Sequence, residues 1–277
     1  MTRTLETEVV QQESNPGVPP FATVWVLSIA AAGGLALLAT LGRYGYFGDE
    51  LYFLSAGRRL AASYADQGPL LPAMARLMDL IAPGSVVALR IPAVLVTVAA
   101  IVLSAQIARE FGGSRGAQAL TAVAYATSPF LLVQGDQLAT NTIDTALWVL
   151  ISWLLIRWVR TRHDGLLLGA AAATALDMQV KWLIPFFWIA AGVGVLCFGP
   201  RELLRRPALW AGVLGVYLST LPSLLWQARH GWPQLHMVGR ADARLGIPGV
   251  TRDITIWRCD HPRAPWSHEW PSMRHLG

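Results

Sequence analysis

Two adjacent carboxylates, Asp49 and Glu50, lie in GYFGDELYF directly after a charge-free apolar run. A carboxylate held at a bilayer surface and partly desolvated can take a proton from an incoming hydroxyl. The same pair can instead open a helix, with Asp49 accepting backbone N–H bonds and Glu50 complementing the positive end. Asp144 in ATNTIDTALWVL lies at the start of a later run, with Thr140 and Asn141 before it. Those two can cap the helix, and Asp144 can complement its dipole or share a site with Asp49. Lys181 in VKWLIP can snorkel, pair with Asp177 at i, i+4, or bind a lipid phosphate. Arg229 and His230 follow the last run between Trp226 and Trp232; a lone His in such a belt is more often structural. No Walker loop, GxGxxG turn, zinc spacing or GxSxG elbow occurs in the chain, which removes nucleotide-cradling and soluble-hydrolase readings.

The elements that position these groups are apolar. Of 277 residues only 14% are charged and 54% are hydrophobic, against about 25% charged in soluble domains. Phe21 to Gly42 holds no charge, and further runs cover 91–108, 116–135, 137–156, 165–180, 182–199 and 207–228. Runs near 20 residues match a ~30 Å hydrocarbon core. The fold class expected is therefore an all-α polytopic membrane protein with about seven transmembrane helices. Asp177 makes 165–180 the weakest of them. The 43–90 segment is expected to be an extramembrane loop with interfacial helices, ELYFLSAGRRLAASY forming one and DQGPLLP ending it. The GLLLG at Gly165–Gly169 permits close helix packing.

Arginines at 109, 115, 157, 160, 162, 201, 205 and 206 fall in every second connection. The positive-inside rule makes those connections cytoplasmic. The N-terminus is then inside a plasma (inner) membrane, and 43–90, Asp144, Lys181 and His230 share the outer face. The net charge of +5 is explained by these loops, and no aromatic-interleaved basic patch points to nucleic acid. Cys197 and Cys259 lie in no metal or redox spacing.

The expected organisation is a polar cytoplasmic tail (1–20), a transmembrane domain (21–228) with its outer loop (43–90), an outer segment (229–250) and an atypical tail (251–277). That tail crowds Arg, His, Trp and Pro with no apolar period, which reads as a truncated chain or an altered reading frame.

FGDELYFL, SYADQGPL, RIPAVL, ATNTIDTALWVL, VKWLIP and LPSLLWQARHGWPQL, in that order, resemble bacterial membrane glycosyltransferases of the dolichyl-phosphate-mannose protein mannosyltransferase type. The resemblance implies a C-type glycosyltransferase fold that moves a sugar, with inversion, from a polyprenyl-phosphate donor to a hydroxyl acceptor at the outer face. It implies that Asp49 is the base and that Glu50 orients the site. Asp66 and Gln67 would lie in the loop lining the donor phosphate, where Gly68 stands in place of a family proline and the family lysine is absent. It also makes Lys181 a phosphate contact and Asp144 a family acidic position. A lipid phosphate already leaves readily, so no metal cofactor is required, although adjacent carboxylates can hold a divalent cation. A transporter subunit is the rival reading. Transporters, however, hold ionisable groups near the bilayer midplane and often repeat internally, and here the acids cluster at run ends. An inactive remnant of the transferase is the third reading.

Overall fold

The computed structural model describes residues 18–236. The 251–277 tail and nearly all of the 1–20 tail lie outside them. Every regular element among the described residues is helical. The helices are α1 (Thr23–Thr40), α2 (Gly48–Gly57), α3 (Leu70–Ile81), α4 (Val86–Glu110), α5 (Arg115–Ala126), α6 (Pro129–Gln134), α7 (Thr140–Thr161), α8 (Gly165–Met178), α9 (Ile184–Cys197) and α10 (Pro207–Arg229). A 3₁₀ turn (Arg201–Arg205) precedes α10. Four helices are long and apolar enough to cross a membrane, namely α1, α4, α7 and α10.

The other three expected spans are helical but shorter. The 116–135 run breaks at Thr127–Ser128, where the Ser128 hydroxyl accepts the Leu131 N–H and Pro129 opens α6. Pro is suited to a first helical turn because its missing N–H has no partner there anyway. Helices α8 and α9, with 14 residues each, are well under the ~20 residues of a straight span.

The bundle is a row in which α1 packs on α4, α4 on α7, α7 on α8, and α8 on α10, with α5 against α1 and α4. Small residues set the close approaches. A Cβ on Gly34 would meet Val98 Cγ2 at 2.8 Å, and one on Gly212 would meet Ala171 Cβ at 2.6 Å. The GLLLG pair does not act this way: a Cβ on Gly169 would find Leu154 at 3.6 Å, an ordinary contact.

Within 43–90 the interfacial helix is shorter than its pattern suggests, ending at Gly57 ahead of Arg58 and Arg59. Gly57 sits against α3, where a Cβ would lie 2.7 Å from the Pro72 carbonyl oxygen. Helix α3 begins at Leu70 after the 58–69 loop, and Phe53, Leu71, Ala75 and Leu89 join Leu138, Ile143 and Val180 in a buried cluster. This apolar plug fastens the loop to the starts of α4 and α7.

Candidate active site

The two acids of GDEL have separate fates. Glu50 is fully buried, and Arg90, on α4, is fully buried beside it. Arg90 Nε donates to Glu50 Oε1 at 2.7 Å and Nη2 donates to Oε2 at 2.8 Å. Such a two-pronged pair has fixed orientation as well as strength. Arg90 also donates to the carbonyls of Leu41 (2.6 Å) and Gly45 (2.8 Å). Glu50 accepts the Phe47 N–H at 2.9 Å and the Leu138 N–H at 3.3 Å. The Tyr44 ring lies 4.1 Å from the guanidinium carbon. Asp136 receives the Tyr44 and Thr40 hydroxyls, each at 2.9 Å. Burial and the neighbouring Asp136 push the Tyr44 hydroxyl above its ordinary pKa. Each charge in this knot is answered, which is what keeps a buried ion pair from being a net cost.

Glu50 is therefore the residue that closes the helix start, reaching back to the Phe47 N–H from the third helical position. The capping expected of Asp49 is not made by Asp49. Asp49 is exposed at the second position of α2. It makes no hydrogen bond or ion pair among the described residues. Its backbone is nonetheless held rigidly, because the next residue is pinned by four donors.

One turn along, Tyr52 shares the Asp49 face of the helix and its hydroxyl donates to Asp66 Oδ1 at 2.9 Å. Burial first, then the Asp66 charge, pushes the Tyr52 hydroxyl far up. The Asp66 loop is clamped by the end of α10. Ser223 Oγ donates to the Ala62 carbonyl at 2.8 Å, and Gln227 Nε2 donates to the Tyr64 carbonyl at 2.7 Å. Gly68 explains itself sterically, since a Cβ there would overlap the backbone oxygen and Cα of Gln179. That close approach lets the Leu70 N–H reach the Gln179 carbonyl at 3.1 Å. Gln67 is 2% exposed, and its side chain lies beside the Tyr52 hydroxyl.

Lys181 donates from Nζ to Asn141 Oδ1 at 2.7 Å. Its expected side-chain pairing with Asp177 does not form as an ion pair, and only the Lys181 N–H reaches the Asp177 carbonyl, at 2.8 Å. Asp144 and the fully buried Asp177 face each other from α7 and α8 with the Lys181 ammonium near both. The expected cap from Thr140 or Asn141 is absent. Ala139 occupies the cap position with no side-chain bond, and the Asn141 oxygen is used by Lys181.

Arg229 and His230 are exposed at the end of α10. His230 Nδ1 lies 2.8 Å from the Trp226 carbonyl oxygen, and its ring stacks on Trp226 with centroids 4.1 Å apart. Neither bonds to another candidate residue. The structure thus joins Asp49, Glu50 and Asp66 around α2, joins Asp144 to Lys181 on α7 and the loop after α8, and leaves Arg229 and His230 apart. The sequence reading missed Arg90, Asp136, Tyr52 and Gln227. A signal existed for Arg90, a lone arginine leading an otherwise apolar span. Among the described residues no group of three or more His, Cys, Asp or Glu side chains is placed to hold a metal.

Among the described residues, a helical bundle with four membrane-length apolar helices, and with buried polar residues tying the 43–90 loop to the starts of α4 and α7, defines a polytopic membrane protein. Residues 66–226, more than half of the chain, match the family model described as dolichyl-phosphate-mannose-protein mannosyltransferase. The chain belongs to that family, whose members are membrane glycosyltransferases of the mannosyltransferase type. Asp66, Gln67, Asp144 and Lys181 fall inside the matched stretch, while Asp49, Glu50, Arg229 and His230 fall outside it. No curated protein and no solved structure matches the chain.

Proposed function

We propose that this protein moves a sugar from a polyprenyl-phosphate donor to a hydroxyl acceptor in a single inverting displacement at the outer face of a plasma membrane, with Asp49 as the base. The observation that carries this reading is the division of labour in the acid pair. Glu50 is spent on Arg90 and two N–H groups, whereas Asp49 is exposed, without a partner among the described residues, and rigidly mounted beside it. A general base needs that combination of access and fixed position.

In the step itself, the Asp49 carboxylate takes the acceptor's hydroxyl proton as the oxygen attacks the anomeric carbon. The bond from that carbon to the donor phosphate breaks on the opposite side, and the lipid phosphate leaves with the electron pair. One displacement inverts the centre. Charge growing on the phosphate needs only donors or a cation. Gln67, in the Asp66 loop, is proposed as one such donor, and Lys181, steadied by Asn141, is the cation nearest to Asp144. Lys181 also has two carboxylates beside it, so its pull on a phosphate is partly spent. Tyr52 fixes Asp66 through its hydroxyl.

The outer-face assignment rests on arginine placement. Arg157 and Arg160 meet Glu110 at one end of the bundle, and Arg162 and Arg206 meet Glu202 and Asp164 there. Arginine-rich ends face the cytoplasm, which turns α2 outward and leaves the N-terminus inside.

The test is transfer of labelled sugar from a polyprenyl-phosphate donor by the purified chain in nanodiscs. Asp49→Asn should lower the rate by roughly 10²–10⁴-fold with an unchanged melting temperature. Full activity in that variant removes Asp49 as the base.

A further inference from the structure

Between α4, α5, α6 and α7 lies a cavity of about 450 Å³ that the proposed transfer does not use. Thr97, Thr121, Tyr125, Ser128, Thr142 and Thr145 bring hydroxyls to it, Gln134 brings an amide, and the rest of its wall is apolar. No charged side chain lines it. Three of the hydroxyls are already committed, Thr97 to the Gly135 carbonyl at 3.1 Å, Thr121 to the Ala117 carbonyl at 2.9 Å and Thr142 to the Gln134 carbonyl at 2.8 Å. Among the described residues the buried Gln134 amide oxygen has no donor. A buried acceptor left unmatched carries a desolvation penalty comparable to a lost hydrogen bond. The flank beside the cavity is a lipid face, with Leu120, Val123, Phe130 and Val133 all exposed on helices of a membrane-spanning bundle. A wall without charge does not select a phosphate. A mostly apolar wall in contact with hydrocarbon selects a chain, and the orphaned oxygen selects a donor above that chain.

We infer that this cavity is a lipid site, distinct from the sugar-donor site, that takes an acyl chain of a membrane phospholipid whose headgroup carries an N–H or O–H donor to Gln134. The occupant comes from the surrounding bilayer, so the site is filled without any soluble ligand.

The experiment uses the full chain in nanodiscs of phosphatidylcholine doped with phosphatidylethanolamine carrying a diazirine on one chain, with labelled peptides mapped by mass spectrometry. Labelling should concentrate on 121–134 and 142–146. It should fall at least fivefold in Ala146→Phe, which fills the cavity, while Leu120→Phe on the outer face leaves it unchanged. The shape-preserving Gln134→Leu should keep chain labelling but reduce the preference for the ethanolamine lipid over a choline lipid with the same diazirine chain by about tenfold. Labelling spread evenly over the exposed faces of α1, α9 and α10, or indifferent to Ala146→Phe, overturns the site. A headgroup preference that survives Gln134→Leu, or none at the outset, overturns the role of the orphaned oxygen. Cross-links from this face to a second protein chain instead of lipid overturn the assignment of a lipid occupant.

Discussion

Glu50 and Glu110 are both carboxylates with fully buried side chains and arginine partners, at opposite ends of the same helix bundle, yet they do different work. Glu50 meets one arginine that is as buried as itself, and two backbone N–H groups complete its shell. Glu110 meets two arginines, Arg160 at 2.6 Å and Arg157 at 3.7 Å, whose side chains remain 38% and 37% exposed. The first arrangement is sealed, so removing either partner strands a charge. The second is open on its cationic side, so its arginines can turn to water. Sealing suits the end where one carboxylate must be held still next to the proposed base. Openness suits an end that only ties α4 to α7.

This contrast can be broken in order of expected effect. Arg90→Ala should cost about 3–5 kcal/mol of stability and abolish transfer, because it leaves Glu50 buried and alone. The double variant Glu50→Gln, Arg90→Met should recover most of the melting temperature in a detergent thermal scan. If it melts as low as the single variant, the stranded charge is not the cause. Gly68→Ala should cost about 1–3 kcal/mol through overpacking against the Gln179 backbone, and protease nicking between residues 58 and 69 would report the loosened clamp. Glu110→Ala should cost only about 1 kcal/mol or less once solvent screening of the half-exposed arginines is counted. Its effect should shrink further in 1 M salt, where screening acts within about 3 Å, whereas the Arg90→Ala loss should persist. Equal salt sensitivity at both ends would erase the distinction.

Much of the frame was legible in sequence because apolar length and charge spacing are local properties. The first run, read as Phe21 to Gly42, is a helix over Thr23–Thr40. Breaks inside runs were harder to see: Ser128–Pro129 caps a new helix within an unbroken apolar text. The interfacial helix was read past its end because Arg58 and Arg59 fit its period, and only the packing of Gly57 on α3 stops it. The site was legible as a set of residue types but not as a set of roles. Asp49 and Glu50 carry the same chemistry, and what distinguishes them is an arginine 40 residues later. Lys181 fits an i, i+4 pair with Asp177, but the lysine reaches Asn141 across to α7 instead. The family match begins at Asp66, so the acid pair rests on its geometry alone.

The Glu50 knot also has a timetable. Its arginine lies 40 residues downstream and its Leu138 N–H lies 88 residues downstream. During synthesis the 43–90 loop is therefore made well before the groups that lock it exist. Asp49 gains its fixed position only when α4 and the start of α7 are both in place. Until then Glu50 keeps its water. Under the proposed function, activity then belongs to chains that have inserted through at least residue 138, and a ribosome stalled before that point would carry the proposed base without its mount.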